Sequence, residues 1–119
     1  MKKALVIDDE PLIRKSLRMT LEIEGFEVKS AEGGVEGIKL WAGFKPDLVF
    51  LDILMPDKSG LEVLEDVKLK GLVKYVVLMS AYSGEEIIPS DISSTGANLF
   101  LQKPFEDIFK TVKLSLIHI

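Results

Sequence analysis

The chain alternates short runs of consecutive apolar residues with longer stretches in which apolar residues recur at helical spacing. Four of the runs are rich in Val, Ile, Leu and Phe and too short for core helices, which is typical of strands buried on both faces. A fifth segment, F-E-V-K-S, alternates apolar and polar residues and predicts an edge strand at 26–30. The buried strands are predicted at 4–7, 48–51, 75–79 and 99–101.

Helical patterns lie between these strands. The pattern over 11–24 begins at Pro11, which suits a first helical turn, and Gly25 ends it. Segment 84–95 contains Pro89 and several Ser and Thr residues, so we expect only a short or irregular helix there. The other helices are predicted at 34–42, 60–69 and 105–117. The predicted inward residues are Leu12, Leu17 and Leu21 in the first helix, Val35, Ile38 and Trp41 or Ala42 in the second, and Leu61, Leu64 and Val67 or Lys68 in the third.

A strand followed by a helix therefore occurs five times. This alternation predicts an α/β fold with a five-stranded parallel sheet, right-handed crossovers and helices on both faces, which is a doubly wound sheet. The length of 119 residues fits one domain spanning 1–119 with a single sizeable core. In such sheets, ligands bind beyond the carboxyl ends of the strands.

Polar residues follow the predicted strand ends. Asp8 and Asp9 follow the first strand, Asp52 the third, Ser80 the fourth, and Lys103 comes just after the fifth. Carboxylates brought this close repel one another, and a divalent cation with a preference for oxygen, such as Mg²⁺, relieves that repulsion. Lys103 can pair with Asp52 or with a phosphoryl group, and Ser80 can donate to a phosphate oxygen. These are the parts of a phosphoryl-transfer site in which Asp52 acts as nucleophile.

Composition narrows the classes of function. The net charge is −4 and there is no basic run, which argues against direct nucleic-acid binding. Cysteine is absent, so disulfides, a thiol nucleophile and Cys-ligated metals are excluded. There is no apolar run of membrane-spanning length and no signal-peptide pattern, so we expect a cytoplasmic protein without a membrane contact.

Four short motifs carry a family resemblance: D-D-E-P at 8–11, L-D-I-L-M-P at 51–56, M-S-A at 79–81 and Q-K-P-F at 102–105. Each is weak alone, but together, in this order and at these strand ends, they resemble a response-regulator receiver domain, the phospho-acceptor unit of two-component signalling. The resemblance covers essentially the whole chain. It implies a flavodoxin-like (βα)5 fold with strand order 2-1-3-4-5.

The resemblance also implies a role for each residue around the acidic positions. Asp52 would be the phosphorylated residue. Mg²⁺, or Mn²⁺, would be held by Asp9 directly, by Asp8 through water, by Asp52 itself and by the backbone carbonyl of Leu54.

Lys103 and Ser80 would take part in the phosphoryl transfer, and Ser80 and Phe100 would carry the signal away from that site. Ser80 and Lys103 stand at the conserved hydroxyl and lysine positions of the family, and Phe100 stands at the position of its switch aromatic. Phosphorylation would draw Ser80 toward the phosphoryl group and let Phe100 turn inward, which changes the surface formed by 84–117.

The implied partners are a sensor histidine kinase or phosphotransfer protein as donor, and an output domain or downstream protein as receiver of the signal. We expect the domain to catalyse only its own phosphorylation and dephosphorylation, and to be a monomer or a phosphorylation-dependent dimer. No output domain is recognised in the chain, which fits either a stand-alone regulator or a piece of a longer one. Leu54 and Tyr82 are bulky and cannot act as bases, which predicts slow self-dephosphorylation.

Other interpretations compete with this one. Taken separately, Asp8 could cap a helix, Asp57 is a turn residue rather than a ligand, and His118 is incidental. A phosphatase of the haloacid dehalogenase type would need a second Asp where Leu54 stands. A flavodoxin-like redox protein would need a phosphate-binding loop where D-D-E-P stands. The runner-up is a degenerate receiver that binds a partner protein without phosphorylation.

Overall fold

The computed structural model describes residues 2–72, 74–80, 96–103 and 108–117. The predicted segment 84–95 lies outside the described residues, as do Tyr82, His118 and the first three residues of the helix predicted at 105–117. None of the described helices is long and apolar enough to span a bilayer. The elements are β1 (Lys3–Ile7), α1 (Pro11–Ile23), β2 (Glu27–Ala31), α2 (Gly34–Phe44), β3 (Leu48–Asp52), α3 (Gly60–Leu69), β4 (Tyr75–Ser80), β5 (Leu99–Gln102) and α4 (Ile108–Ile117).

The five strands form one parallel sheet in the order β2-β1-β3-β4-β5, which confirms the predicted fold class and strand order. β2 is an edge strand, as its alternating pattern predicts. The register places Ile7 opposite Leu51, and Asp52 opposite Met79. The carboxyl ends of the central strands therefore lie side by side.

Each face of the sheet carries its own apolar core. Ala4, Val6 and Phe50 point to the side where Leu17 of α1 and Val112 of α4 pack. Leu5, Ile7 and Leu51 point to the opposite side and pack against residues of α2 and α3, namely Ile38, Trp41, Val63, Leu64 and Val67. Alternate strand residues thus bury both faces, and the sheet is doubly wound as predicted.

Two of the predicted inward residues are wrong. Leu12 is 73% exposed and Val35 is 50% exposed. At roughly 100° per residue, Leu12 lies about 140° around α1 from the buried Leu17, and Val35 lies about 120° around α2 from the buried Trp41. Of the residues left as alternatives, Trp41 and Val67 are buried, whereas Ala42 and Lys68 are exposed.

Candidate functional site

Four of the predicted site residues meet at the carboxyl edge of the sheet. Asp8 comes directly after β1, Asp52 ends β3 and Ser80 ends β4. The backbone N–H of Lys103 donates to the carbonyl oxygen of Ser80 over 2.8 Å, which fixes the start of the chain after β5 against the end of β4. All four are buried, although each is polar or charged.

The acidic residues form a compact cluster. One carboxylate oxygen from each of Asp8, Asp9 and Asp52 lies within 4.8 Å of the other two. Asp8 and Asp52 are buried, whereas Asp9 is exposed at the mouth of the cluster. Asp8 Oδ2 is buried and receives no hydrogen bond of good geometry from the described residues. Three hard oxygen donors of this kind fit a magnesium ion that keeps several of its waters.

Lys103 is the cation beside this cluster. Its Nζ lies 2.6 Å from Asp8 Oδ2, a close ion pair whose angles are poor for a hydrogen bond. The same Nζ donates to Glu10 Oε1 over 2.9 Å and lies 3.6 Å from Asp52 Oδ1. Three carboxylates thus lie around one ammonium, and Asp9 adds a fourth to the site, which leaves an excess of negative charge for a cation to balance.

Burial and charge shift the pKa values of three groups here. Burial, and then the Asp8 charge, raise the pKa of Asp52 from 3.8 to about 7, although Lys103 opposes the shift. Burial also raises the pKa of Asp8, against the effects of Lys103 and the Glu10 N–H. Burial alone would lower the pKa of Lys103, but contacts with Asp8 and Glu10 outweigh it and raise that pKa. Asp52 is therefore a carboxylate that its surroundings make basic.

Backbone contacts hold Asp8 in place. Its N–H donates to the Ala31 carbonyl oxygen over 3.1 Å, and its own carbonyl oxygen accepts from Arg14 Nη1 over 2.7 Å. Asp8 Oδ1 accepts the Glu10 N–H over 2.9 Å. Glu10, not Asp8, is the N-cap of α1, and its side chain makes no capping bond. The side chain of Glu10 is instead directed to Lys103.

The loop after Asp52 is anchored at both ends. Ile53 N–H donates to Met79 O over 2.9 Å, and Gly60 N–H donates to Ile53 O over 2.8 Å. A Cβ at Gly60 would collide with the Asp52 carbonyl oxygen, so only glycine lets α3 begin this close to β3. Further along, Asp57 accepts the N–H groups of the first residues of α2 over 3.0 Å each. Asp57, in the loop between β3 and α3, therefore caps the N-terminus of α2.

The two remaining predicted residues lie beside the cluster rather than in it. Leu54 is two residues beyond Asp52 and 43% exposed. Phe100 is half-buried and packs against the core on the α2 and α3 side. The metal role of the Leu54 carbonyl and the switching of Phe100 stay predictions.

Sequence reasoning missed three contributors to the site. Glu10 and Arg14 contact Lys103 and Asp8, and Gly60 gives α3 room beside Asp52. Glu10 stands in the D-D-E-P motif, and its position directly after Asp8 and Asp9 could have indicated a place in the site. Nothing in the sequence alone indicated that Arg14 reaches back to the Asp8 carbonyl.

Comparison with known proteins places this geometry in a family. The response regulator receiver domain family matches residues 4–113. The chemotaxis protein CheY of Listeria monocytogenes is 36% identical over 107 residues, covering 89% of this chain and 89% of that protein. The response regulator MprA of a Mycobacterium species is 36% identical over 105 residues, covering 87% of this chain. The chain spans only 44% of the length of that mycobacterial relative.

Solved structures agree. The response regulator TrrA of Thermotoga maritima, in complex with Mg²⁺ and BeF, is 40% identical with a TM-score of 0.82, and the match covers 98% of this chain and 97% of that one. A chain from the complex of histidine kinase ThkA with TrrA is 41% identical with a TM-score of 0.75, covering 98% of this chain and 99% of that one. The fold, the acidic cluster with its lysine, and these matches lead to one conclusion. The chain belongs to the response regulator receiver domain family.

Proposed function

We propose that this receiver domain accepts a phosphoryl group on Asp52, from a phosphohistidine of a sensor histidine kinase or phosphotransfer protein, with Mg²⁺ or Mn²⁺ bound. The observation that carries the proposal is the surroundings of Asp52. Its carboxylate is buried, lies within 4.8 Å of oxygens of Asp8 and Asp9, and has Lys103 Nζ at 3.6 Å. Among the described residues, only Asp8 shares these three features.

The other candidate carboxylates are less suited to be the acceptor. Asp57 uses both oxygens to cap α2, and its backbone N–H partners lower its pKa. Asp8 uses Oδ1 to accept the Glu10 N–H and is fully buried. The pKa of Asp52 is raised whereas that of Asp57 is lowered, so Asp52 is the more basic of these two and, once deprotonated, the more nucleophilic.

The transfer is an in-line substitution at phosphorus. A carboxylate oxygen of Asp52 forms the new P–O bond, the P–N bond to the imidazole breaks, and the ring nitrogen keeps the electron pair of that bond. Lys103 neutralises charge on the transferred group, and the Ser80 hydroxyl donates to one of its oxygens. When bound, the divalent cation supplies further charge neutralisation for the phosphoryl oxygens. Asp8 and Asp9, with the Leu54 carbonyl, would hold it.

Two structures of one relative support the donor and the cation. TrrA has a structure with Mg²⁺ and BeF and another in complex with a histidine kinase, and this chain is 40% and 41% identical to the matched chains. We carry both properties to this chain as part of the proposal. The chain spans less than half of MprA, and we propose that the output is a fused domain or a separate downstream protein.

The proposed signal leaves through Ser80 and Phe100. Ser80 ends β4, and Phe100 lies in the neighbouring β5, where it pairs in register with Leu78. A phosphoryl group on Asp52 draws the Ser80 hydroxyl toward it, and Phe100 turns further inward, which alters the surface of 84–117. A structure with beryllofluoride and Mg²⁺ tests this step. Unchanged positions of Ser80 and Phe100 would contradict it.

Intact mass after incubation with acetyl phosphate tests the acceptor function. We expect a gain of one phosphoryl group in the wild type with Mg²⁺, and none with EDTA or in Asp52→Asn. A wild type that gains no phosphoryl group from acetyl phosphate or from a phosphorylated kinase would instead favour a degenerate receiver that binds its partner without phosphorylation.

A further inference from the structure

The ammonium of Lys103 is shared unequally among three carboxylates. Its Nζ lies 2.6 Å from Asp8, 2.9 Å from Glu10 and 3.6 Å from Asp52. An ammonium offers three N–H donors. Among the described residues, its hydrogen bond of good geometry is to Glu10, and Asp52 lies beyond hydrogen-bond distance. In this state Lys103 is therefore directed away from the residue that we propose as acceptor.

The Glu10 contact is the one that Lys103 can give up most easily. The side chain of Asp8 is fully buried, whereas that of Glu10 is 53% exposed. Water can replace the ammonium at an exposed carboxylate, so losing that partner costs little, whereas a buried carboxylate would be left without a counter-charge. Glu10 also has no competing task as a helix cap, because its side chain makes no capping bond.

We propose that Glu10 is a positioning residue that holds Lys103 in the unphosphorylated state and releases it to the phosphoryl group on Asp52. The inference rests on the proposed function and adds a regulator to the same site. In this proposal Lys103 exchanges Glu10 for the new phosphoryl oxygens, so the Glu10 contact stabilises the unphosphorylated form only. Loss of the contact therefore shifts the equilibrium toward the phosphorylated form.

Beryllofluoride binding in the presence of Mg²⁺ measures this shift without any chemical step. An ion pair with one exposed partner predicts an affinity gain of about two- to fourfold in Glu10→Gln. Glu10→Asp keeps the charge but shortens the side chain by one methylene, so its carboxylate no longer reaches Lys103, and we expect the same gain. Glu36→Gln, an exposed residue of α2 that makes no contact with Lys103, is the charge control and should leave the affinity unchanged.

The outcomes separate the contact from simple charge repulsion. Gains in both Glu10 variants support the proposal. A gain in Glu10→Gln with wild-type affinity in Glu10→Asp would mean that only the charge matters, and it would overturn the proposal, as would no change or a loss in both. Thermal unfolding of each variant shows that it is folded. A folded wild type that binds no beryllofluoride would refute the proposed function itself, and the role of Glu10 with it.

Discussion

Removing the charge of Asp52 should stabilise the metal-free protein, and the gain should depend on pH. Asp52 is only 3% exposed, and burial and the Asp8 charge raise its pKa from 3.8 to about 7. A raised carboxyl pKa means that the folded state binds the proton more tightly than the unfolded state. Stability therefore falls as the pH rises from about 4 to about 7, and it is level above that range. Asp52→Asn has nearly the same shape and lacks this titration.

The size of the effect follows from the two pKa values. The free energy of unfolding of the wild type is lower than that of a form with residue 52 kept neutral. The difference is up to about 4 kcal/mol at about pH 8 and about 2 kcal/mol at about pH 5. Asp52→Asn should therefore be more stable than the wild type, and by about 2 kcal/mol more at the higher pH than at the lower. These are upper values, because Lys103 loses an ion-pair partner in the variant.

Urea unfolding in EDTA at the two pH values measures the difference. Trp41 is the one tryptophan of the chain and is fully buried, so its emission reports unfolding. Asp66→Asn is the control: Asp66 makes a surface ion pair with Lys70 at 3.2 Å, and its loss should change stability by no more than about 0.5 kcal/mol at either pH. Equal gains at both pH values, or no gain at the higher one, would refute the reasoning about Asp52.

Three further predictions concern substitutions in the loop after Asp52, one of them combined with a substitution at Tyr82. Asp57→Ala should lower the melting temperature at neutral pH, because α2 loses its cap. The pKa of Asp57 is lowered in the folded protein, so the difference in melting temperature is present above about pH 4 and disappears as the pH falls below that value. Gly60→Ala should lower the free energy of unfolding by about 1–3 kcal/mol, because its Cβ meets the Asp52 carbonyl. Gly43→Ala, with open space around it in α2, should raise the free energy of unfolding by up to about 1 kcal/mol. Equal effects in chemical unfolding would contradict the account of Gly60. If bulky side chains restrict the attacking water, Leu54→Asn combined with Tyr82→Glu should shorten the phosphoryl half-life by about tenfold or more, and an unchanged half-life would count against this explanation.

The sequence was sufficient for the sheet and for the residues at its edge. Short apolar runs separated by helical patterns permit few topologies, and a parallel sheet brings all its carboxyl ends to one side. That is why Asp8, Asp52, Ser80 and Lys103 could be grouped although they are far apart in the chain. The exact strand order came from the family resemblance, since alternation alone does not fix it.

Contacts made by long side chains could not be predicted in the same way. Glu10 and Lys103 are 93 residues apart in the chain. Lys103 Nζ lies 2.9 Å from Glu10 and 3.6 Å from Asp52, and the sequence does not predict so small a difference. The cap of α2 by Asp57 spans 23 residues and depends on the path of a loop. Leu12 was misplaced because a helical pattern with several apolar residues around its circumference does not fix which side faces the core.

Reduction with borohydride, followed by peptide sequencing in the mass spectrometer, tests the central claim most directly. Borohydride converts an aspartyl phosphate to homoserine, so the acceptor is identified by its position in the chain. After treatment with a phosphoryl donor and Mg²⁺, the account predicts homoserine at position 52 and at no other aspartate. Homoserine at 8, 9 or 57, or none in a protein that has gained a phosphoryl group, would contradict it.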